Sequence, residues 1–190
     1  MKRIAFISLL LCLFVDLSSI AQAKKNTANQ NIQLLKNGAL LVRLKTSENI
    51  INAYLKKGNT AEAEKIKEEQ LNKNKEIVAA FKSQFTFCKV YFFYSNNSTK
   101  VKEGNTAGCL YNSEFEIDST FTSTDFLVGE FDESATTGID AFIMKDKNYV
   151  QLKPPFPFMI KVTKTLVLER SKEEVVKELN AKLNDFWMHQ

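Results

Sequence analysis

Ala39-Leu40-Leu41-Val42-Arg43-Leu44 is a short apolar run bounded by Gly38 on one side and Thr46-Ser47 on the other. It reads as a buried strand. Ser47 can cap a helix in which Ile50, Ile51, Tyr54 and Leu55 form a stripe at helical spacing. Gly58-Asn59-Thr60 ends that helix, and Thr60 can cap a second over residues 61–83. Its middle, 67–76, holds only Leu71 as an apolar residue, whereas Ile77, Val78 and Phe81 give it an apolar end. It is therefore expected to lie across the surface and dock by its C-terminal part. Residues 85–94, Phe-Thr-Phe-Cys-Lys-Val-Tyr-Phe-Phe-Tyr, are β-branched and aromatic and predict a strand. A strand, an αα crossover and a strand usually make two parallel neighbours.

Outward from this core the signals vary in strength. Residues 24–37 carry four asparagines and several lysines and read as a loose polar arm. The stretch 105–138 is rich in Ser, Thr and acids, with a strand expected over 125–131. Residues 139–144, the turn Asp146-Lys147-Asn148 and residues 149–152 predict a β-hairpin. Lys153-Pro154-Pro155-Phe156-Pro157-Phe158 stops that element before extended chain resumes near 159–162. Ser171-Lys172-Glu173-Glu174 is a capping box opening a last helix, with Val175, Val176, Leu179, Leu183, Phe186 and Trp187 on its buried face. The expected class is α/β: a mixed sheet with an αα crossover after the first strand, a late β-hairpin and a C-terminal helix.

The start of the chain, MKRIAFISLLLCLFVDLSSIAQA, predicts a signal peptide over 1–23. Lys2 and Arg3 supply the basic start, residues 4–15 the apolar run, and Ala21-Gln22-Ala23 the small-x-small cleavage site. A spanning helix needs about 20 apolar residues, and Asp16 ends this run too early. Lipid attachment at Cys12 is disfavoured because bulky Leu11 precedes it. The organisation expected is a signal peptide (1–23), a polar arm (24–37) and one domain (38–190), exported to the periplasm or secreted, without a stable membrane anchor.

Charge is distributed unevenly. Residues 24–102 carry 15 Lys/Arg against 6 Glu, and residues 103–146 carry 10 Asp/Glu against Lys145 alone. Such blocks can mark a binding face or attract each other across the fold, but the favoured reading is the plainer one, solvated helix surface beside an acidic loop region. Nucleic acid is not expected as a partner of an exported chain. Export to an oxidising compartment and the only two thiols outside the signal predict a structural disulfide between Cys88 and Cys109; two buried free thiols are the alternative. Cys88, Val90 and Phe92 should share the core-facing side of their strand, with Lys89 on the wetter side.

The element order resembles, in topology only, a thioredoxin-like fold. Redox members of that class carry Cys-x-x-Cys after the first strand, where this chain has Lys45-Thr46-Ser47-Glu48. Residues 37–46, 89–95 and 153–158 also resemble segments of uncharacterised exported bacterial proteins, a likeness that implies no activity.

The one histidine, His189, stands next to the end of the chain, which disfavours histidine-rich metal sites and a Ser-His-Asp triad. The glycines form no phosphate-binding pattern, and the acids lack calcium-loop spacing. Glu114, Glu116, Asp118, Asp125, Glu130, Asp132 and Glu133 could supply a carboxylate pair, but so many acids in one stretch make pairs by chance. The expectation is a non-catalytic binding or structural protein that needs no metal or cofactor and binds an unknown protein or cell-envelope component. A thioredoxin-like redox protein or a hydrolase with an acidic site is the alternative. The contact surface expected comprises Asp132 and Glu133 and, at an aromatic knob, Phe156 and Phe158, for which core packing is the competing reading.

Overall fold

The run 39–44 forms β1 (Ala39–Leu44), the first strand of a five-stranded mixed sheet. The structure, a computed structural model, describes residues 21–121, 123–134, 137–163 and 168–190. The basic start and apolar run of the expected signal lie outside the described residues. After β1 come α2 (Glu48–Lys56) and α3 (Thr60–Gln84), then β2 (Lys89–Tyr94). A 3-10 turn (Ser95–Asn97), the short α4 (Ser98–Lys102) and an irregular segment lead to β3 (Phe126–Glu133). β4 (Asp140–Lys145), β5 (Met159–Lys161) and α5 (Lys172–Met188) complete the order.

The sheet runs β2-β1-β3-β4-β5, with β1 parallel to both β2 and β3 and the last two pairings antiparallel. The αα crossover thus makes the parallel pair its sequence predicts. The late hairpin is wider than expected: β4 pairs with β3 and β5, whereas residues 149–152 make only a tight return through the Lys145–Gln151 bridge. A side chain at Gly129 would collide with the ring of Phe142, so glycine here lets that ring lie across β3.

Both faces of the sheet are covered. Leu40, Val42, Phe92 and Phe142 pack against Val78 and Phe81 of α3 and Leu179 and Leu183 of α5. Ala39, Leu41, Tyr91, Phe93 and Val128 pack on the other face against Val101, Cys109 and Leu110 of the segment after β2. α3 docks by its C-terminal part, as its apolar end predicts, and Leu71 stays exposed. α5 starts at the expected box, with Ser171 Oγ accepting from Glu174 N–H and Glu174 accepting from Ser171 N–H.

Two expectations need correction. Residues 24–37 are not a loose arm: residues 21–37 form a helix, α1, that buries Ala28, Ile32 and Leu35 in the helix-covered core. Four asparagines make this stretch polar in composition, but a seam spaced by four and three residues runs between them. Cys88 and Cys109 are free thiols rather than a disulfide. Cys88 packs with Val90 and Phe92 on the helix-covered side, whereas Cys109 belongs to the cluster on the opposite face. Their packing on opposite faces keeps the two thiols apart.

Burial pushes the Cys88 thiol up to about 12, against the opposing pull of the Leu40 hydrogen bond and Lys36. Burial raises Cys109 too, against Lys100, and its Sγ–H donates to Thr106 O at 3.2 Å. The thiolate is the reactive form, so both should react slowly in the native protein at neutral pH. Thiol titration without reductant should therefore give a slow native phase and prompt reaction of both cysteines once the protein is denatured. Zero titre after denaturation would contradict this arrangement.

Candidate functional site

β1 is the strand on either side of which the chain crosses. The helical connection to β2 covers one face, and the connection from β2 to β3 covers the other. In open α/β sheets the two connections diverge at such a point and leave a crevice outside the carboxyl ends of the strands. Here that crevice is a cleft of about 500 Å³ beyond β1 and β3, under α3 and the start of α5. Small-molecule sites commonly span about 300–1,000 Å³.

Charged side chains reach this edge in register. Arg43 and Lys45 are two residues apart beside β1, and Glu130 and Asp132 are two apart on β3, so two cross-strand pairs sit one above the other. Arg43 donates to Glu130 at 2.6 Å and Lys45 to Asp132 at 2.9 Å. Glu130 is buried, its side chain 2% exposed, and its other oxygen accepts from Lys145 on β4. Arg43 Nε also donates to Ser98 Oγ at 2.8 Å, and Tyr149 O–H donates to Ser98 O at 2.9 Å. The inner pair is thus anchored from three strands and from the segment on the far face. The outer pair, Lys45–Asp132, stands at the mouth.

A polar chain fixes the roof. Asn74 is buried in α3, donates to Lys45 O at 2.9 Å and accepts from Gln70 at 3.1 Å. Ser47 Oγ donates to Gln70 at 2.7 Å. Ser47 has φ +55°, and its hydroxyl turns to α3 instead of capping α2 as expected. This ties the loop 45–47 to α3 and sets the position of Lys45. A second hollow of about 500 Å³ adjoins on the β2 side, shared through Arg43 and Lys45.

The far end of the cleft belongs to β4 and α5. Lys172 places its ammonium 4.1 Å from the centroid of the Phe131 ring. Desolvation lowers its pKa, against Glu76, Glu169 and Asp140, and Lys73 adds to the lowering. Asp132 is also lowered: burial opposes ionisation, but the hydrogen bond and charge of Lys45 outweigh it, helped by Glu133 N–H and Lys145. A carboxylate depressed in the fold contributes stability above its unfolded pKa and loses it as pH falls through the folded value. Urea melts of wild type and Asp132→Asn should therefore differ most above about pH 4 and converge below it. A difference that grows on acidification would contradict the pairing.

The residues expected to form a contact surface are scattered. Asp132 lies at the cleft but is paired with Lys45, and Glu133 is exposed at the end of β3. Phe156 is no knob: it is 2% exposed and packs on Phe186, ring centroids 6.0 Å apart, and Phe158 is half-buried beside the same core. The core-packing reading holds there. Solvated surface, the favoured reading of the charge blocks, is not the whole of it: mutual attraction describes Arg43–Glu130, Lys45–Asp132 and Lys82–Glu114, each joining the basic block to the acidic one. Arg43, Lys45, Lys145 and Lys172 were not singled out from the sequence as site residues. A charge inside an apolar strand run, such as Arg43 in 39–44 or Glu130 in 126–131, signals a buried partner and was there to be read.

Among the described residues no group of three or more His, Cys, Asp or Glu is arranged to hold a metal ion. None of the described helices is long and apolar enough to cross a membrane. Comparison with protein-family models, curated proteins and solved structures gives no match. The site must be read from its own chemistry.

Proposed function

We propose that this chain is an exported binding protein that holds a small polar ligand in the cleft at the carboxyl ends of β1 and β3. One observation carries the reading: the cleft lies at the topological switch point and is lined by charges already fixed in pairs. Fixed charges suit recognition, because little ordering is left for the ligand to induce. The same pairing weighs against a hydrolase. A general acid needs a carboxyl pushed up toward neutral pH, whereas Asp132 is held down by Lys45. Thiols raised by burial on opposite faces of the sheet weigh against a redox protein.

The export expectation rests on Lys2-Arg3, the apolar run and Ala21-Gln22-Ala23. Cleavage after Ala23 would leave α1 with its seam Ala28, Ile32 and Leu35 whole. N-terminal sequencing of the exported product should give Lys24, and an uncleaved chain in the membrane would refute it. Export makes a cell-envelope component or a fragment of another protein the expected source of ligand.

A thermal-shift screen of small polar compounds tests the binding reading, since a ligand that binds only the folded state raises the melting temperature. Hits should weaken about tenfold or more in Lys45→Ala. Hits unchanged there would place binding elsewhere, and substrate turnover abolished by Asp132→Asn would replace this reading with an enzyme.

A further inference from the structure

The two ends of the cleft carry opposite charge. At the β1 end stand Arg43 and Lys45 against Asp132, a balance of +1, which Glu130 and Lys145 beneath leave unchanged. At the β4 end Glu76, Asp140 and Glu169 face Lys172 and Lys73, a balance of −1 among the described residues. The lining also includes the apolar side chains Phe131 and Ile77. β1 and β4 are separated by β3 alone, so at one strand spacing of about 4.8 Å per step the poles lie about 10 Å apart.

A ligand with one kind of charge would satisfy one pole and be repelled by the other. A free amino acid carries both charges, but too close together to reach both poles. An extended chain advances about 3.3–3.6 Å per residue, so about three residues bridge the gap. We propose that the cleft takes a short peptide of about three residues with both ends free, its carboxylate at Arg43 and Lys45 and its ammonium at Asp140 and Glu169.

The carboxylate meets cations already oriented by Glu130 and Asp132. At the other pole Asp140 and Glu169 take part in no ion pair among the described residues, and both act on Lys172, whose ammonium rests on the Phe131 ring. A peptide ammonium would join Lys172 in that acidic, aromatic corner, where carboxylates and a ring face both favour a cation.

This inference rests on the cleft being the ligand site, and titration calorimetry on the full chain separates the two. The probes are trialanine, its N-acetyl form, its C-terminal amide, and alanine. Trialanine should bind, and each capped form should bind about tenfold or more weakly, the worth of one charge-assisted contact. Alanine should be weaker than trialanine. Lys45→Ala should erase the preference for the free carboxylate and leave the preference for the free amine, and Asp140→Asn should do the reverse. Both side chains are exposed enough for the variants to fold, which a thermal melt of each checks.

Equal binding of capped and free peptide, lost in Lys45→Ala, would overturn the zwitterion assignment and keep the cleft. Tighter binding of alanine would overturn the length. Binding of trialanine unchanged in both variants would overturn the cleft as well. No binding of trialanine up to about 10 mM would overturn the peptide assignment alone, leaving the cleft to the thermal-shift screen.

Discussion

Replacing Glu130 by alanine should lower stability by about 3 kcal/mol, because it strands two cations in the sheet. Glu130 is the shared acceptor of Arg43 and Lys145, and its side chain is 2% exposed. Removing one member of a buried ion cluster commonly costs about 3–5 kcal/mol. The lower figure applies because Arg43 and Lys145 keep some access to water, at 26% and 16% exposure. For a chain of this length 1 kcal/mol corresponds to about 2–4 °C, so the melting temperature should fall by about 6–12 °C. Glu130→Gln should cost less, since it keeps an acceptor for one donor. Replacing Arg43, Glu130 and Lys145 together by apolar residues of similar size should be far milder than Glu130→Ala alone. A loss below about 1 kcal/mol in Glu130→Ala would show that the cluster does not hold the sheet edge.

The other large effect belongs to Phe81. It is 1% exposed on α3, and its ring lies 5.3 Å from that of Phe85, 6.1 Å from Phe92 on β2 and 5.4 Å from Phe142 on β4. One side chain therefore joins the helical layer to two strands that are not neighbours in the sheet. Phe81→Ala removes these contacts and leaves a cavity that rigid neighbours fill poorly, at a cost of about 3–5 kcal/mol. Leu71→Ala on the same helix, at 42% exposure, should stay within about 0.5 kcal/mol. Urea titration of both variants measures the contrast. Similar losses at the two positions would mean that α3 does not dock through its C-terminal part.

Much of this fold was legible because its signals are local. The box Ser171–Glu174 needs three residues of context, and the apolar end of α3 needs five. α1 was missed although its signal is equally local, because polar residues outnumber Ala28, Ile32 and Leu35 around them. The thiols failed for a different reason. Expected export and the lack of any other thiol outside the signal favour a bridge, but which face of the sheet a loop residue reaches depends on where the chain crosses, and no spacing encodes that.

The site was less legible than the fold. Asp132 was singled out as a free acid for contact, yet its character comes from Lys45, 87 residues earlier. Arg43 and Glu130 are separated by the same distance along the chain. A sequence shows that each sits in an apolar run; that they meet follows only once β1 and β3 are neighbours. Phe156 and Phe158 flank Pro157 in a way that suggests a knob, and the packing of Phe156 on Phe186 of α5 settles them as core.

If the carboxyl ends of β1 and β3 form the ligand site, as proposed, amide NMR of the labelled protein titrated with trialanine will report it residue by residue. Shifts should concentrate at Arg43–Ser47, at Phe131–Asp132, at Asp140 and around Lys172, all at one edge of the sheet. Shifts confined to the surface between α1 and Pro154, or to the exposed residues Ile50 and Leu55 of α2, would contradict it.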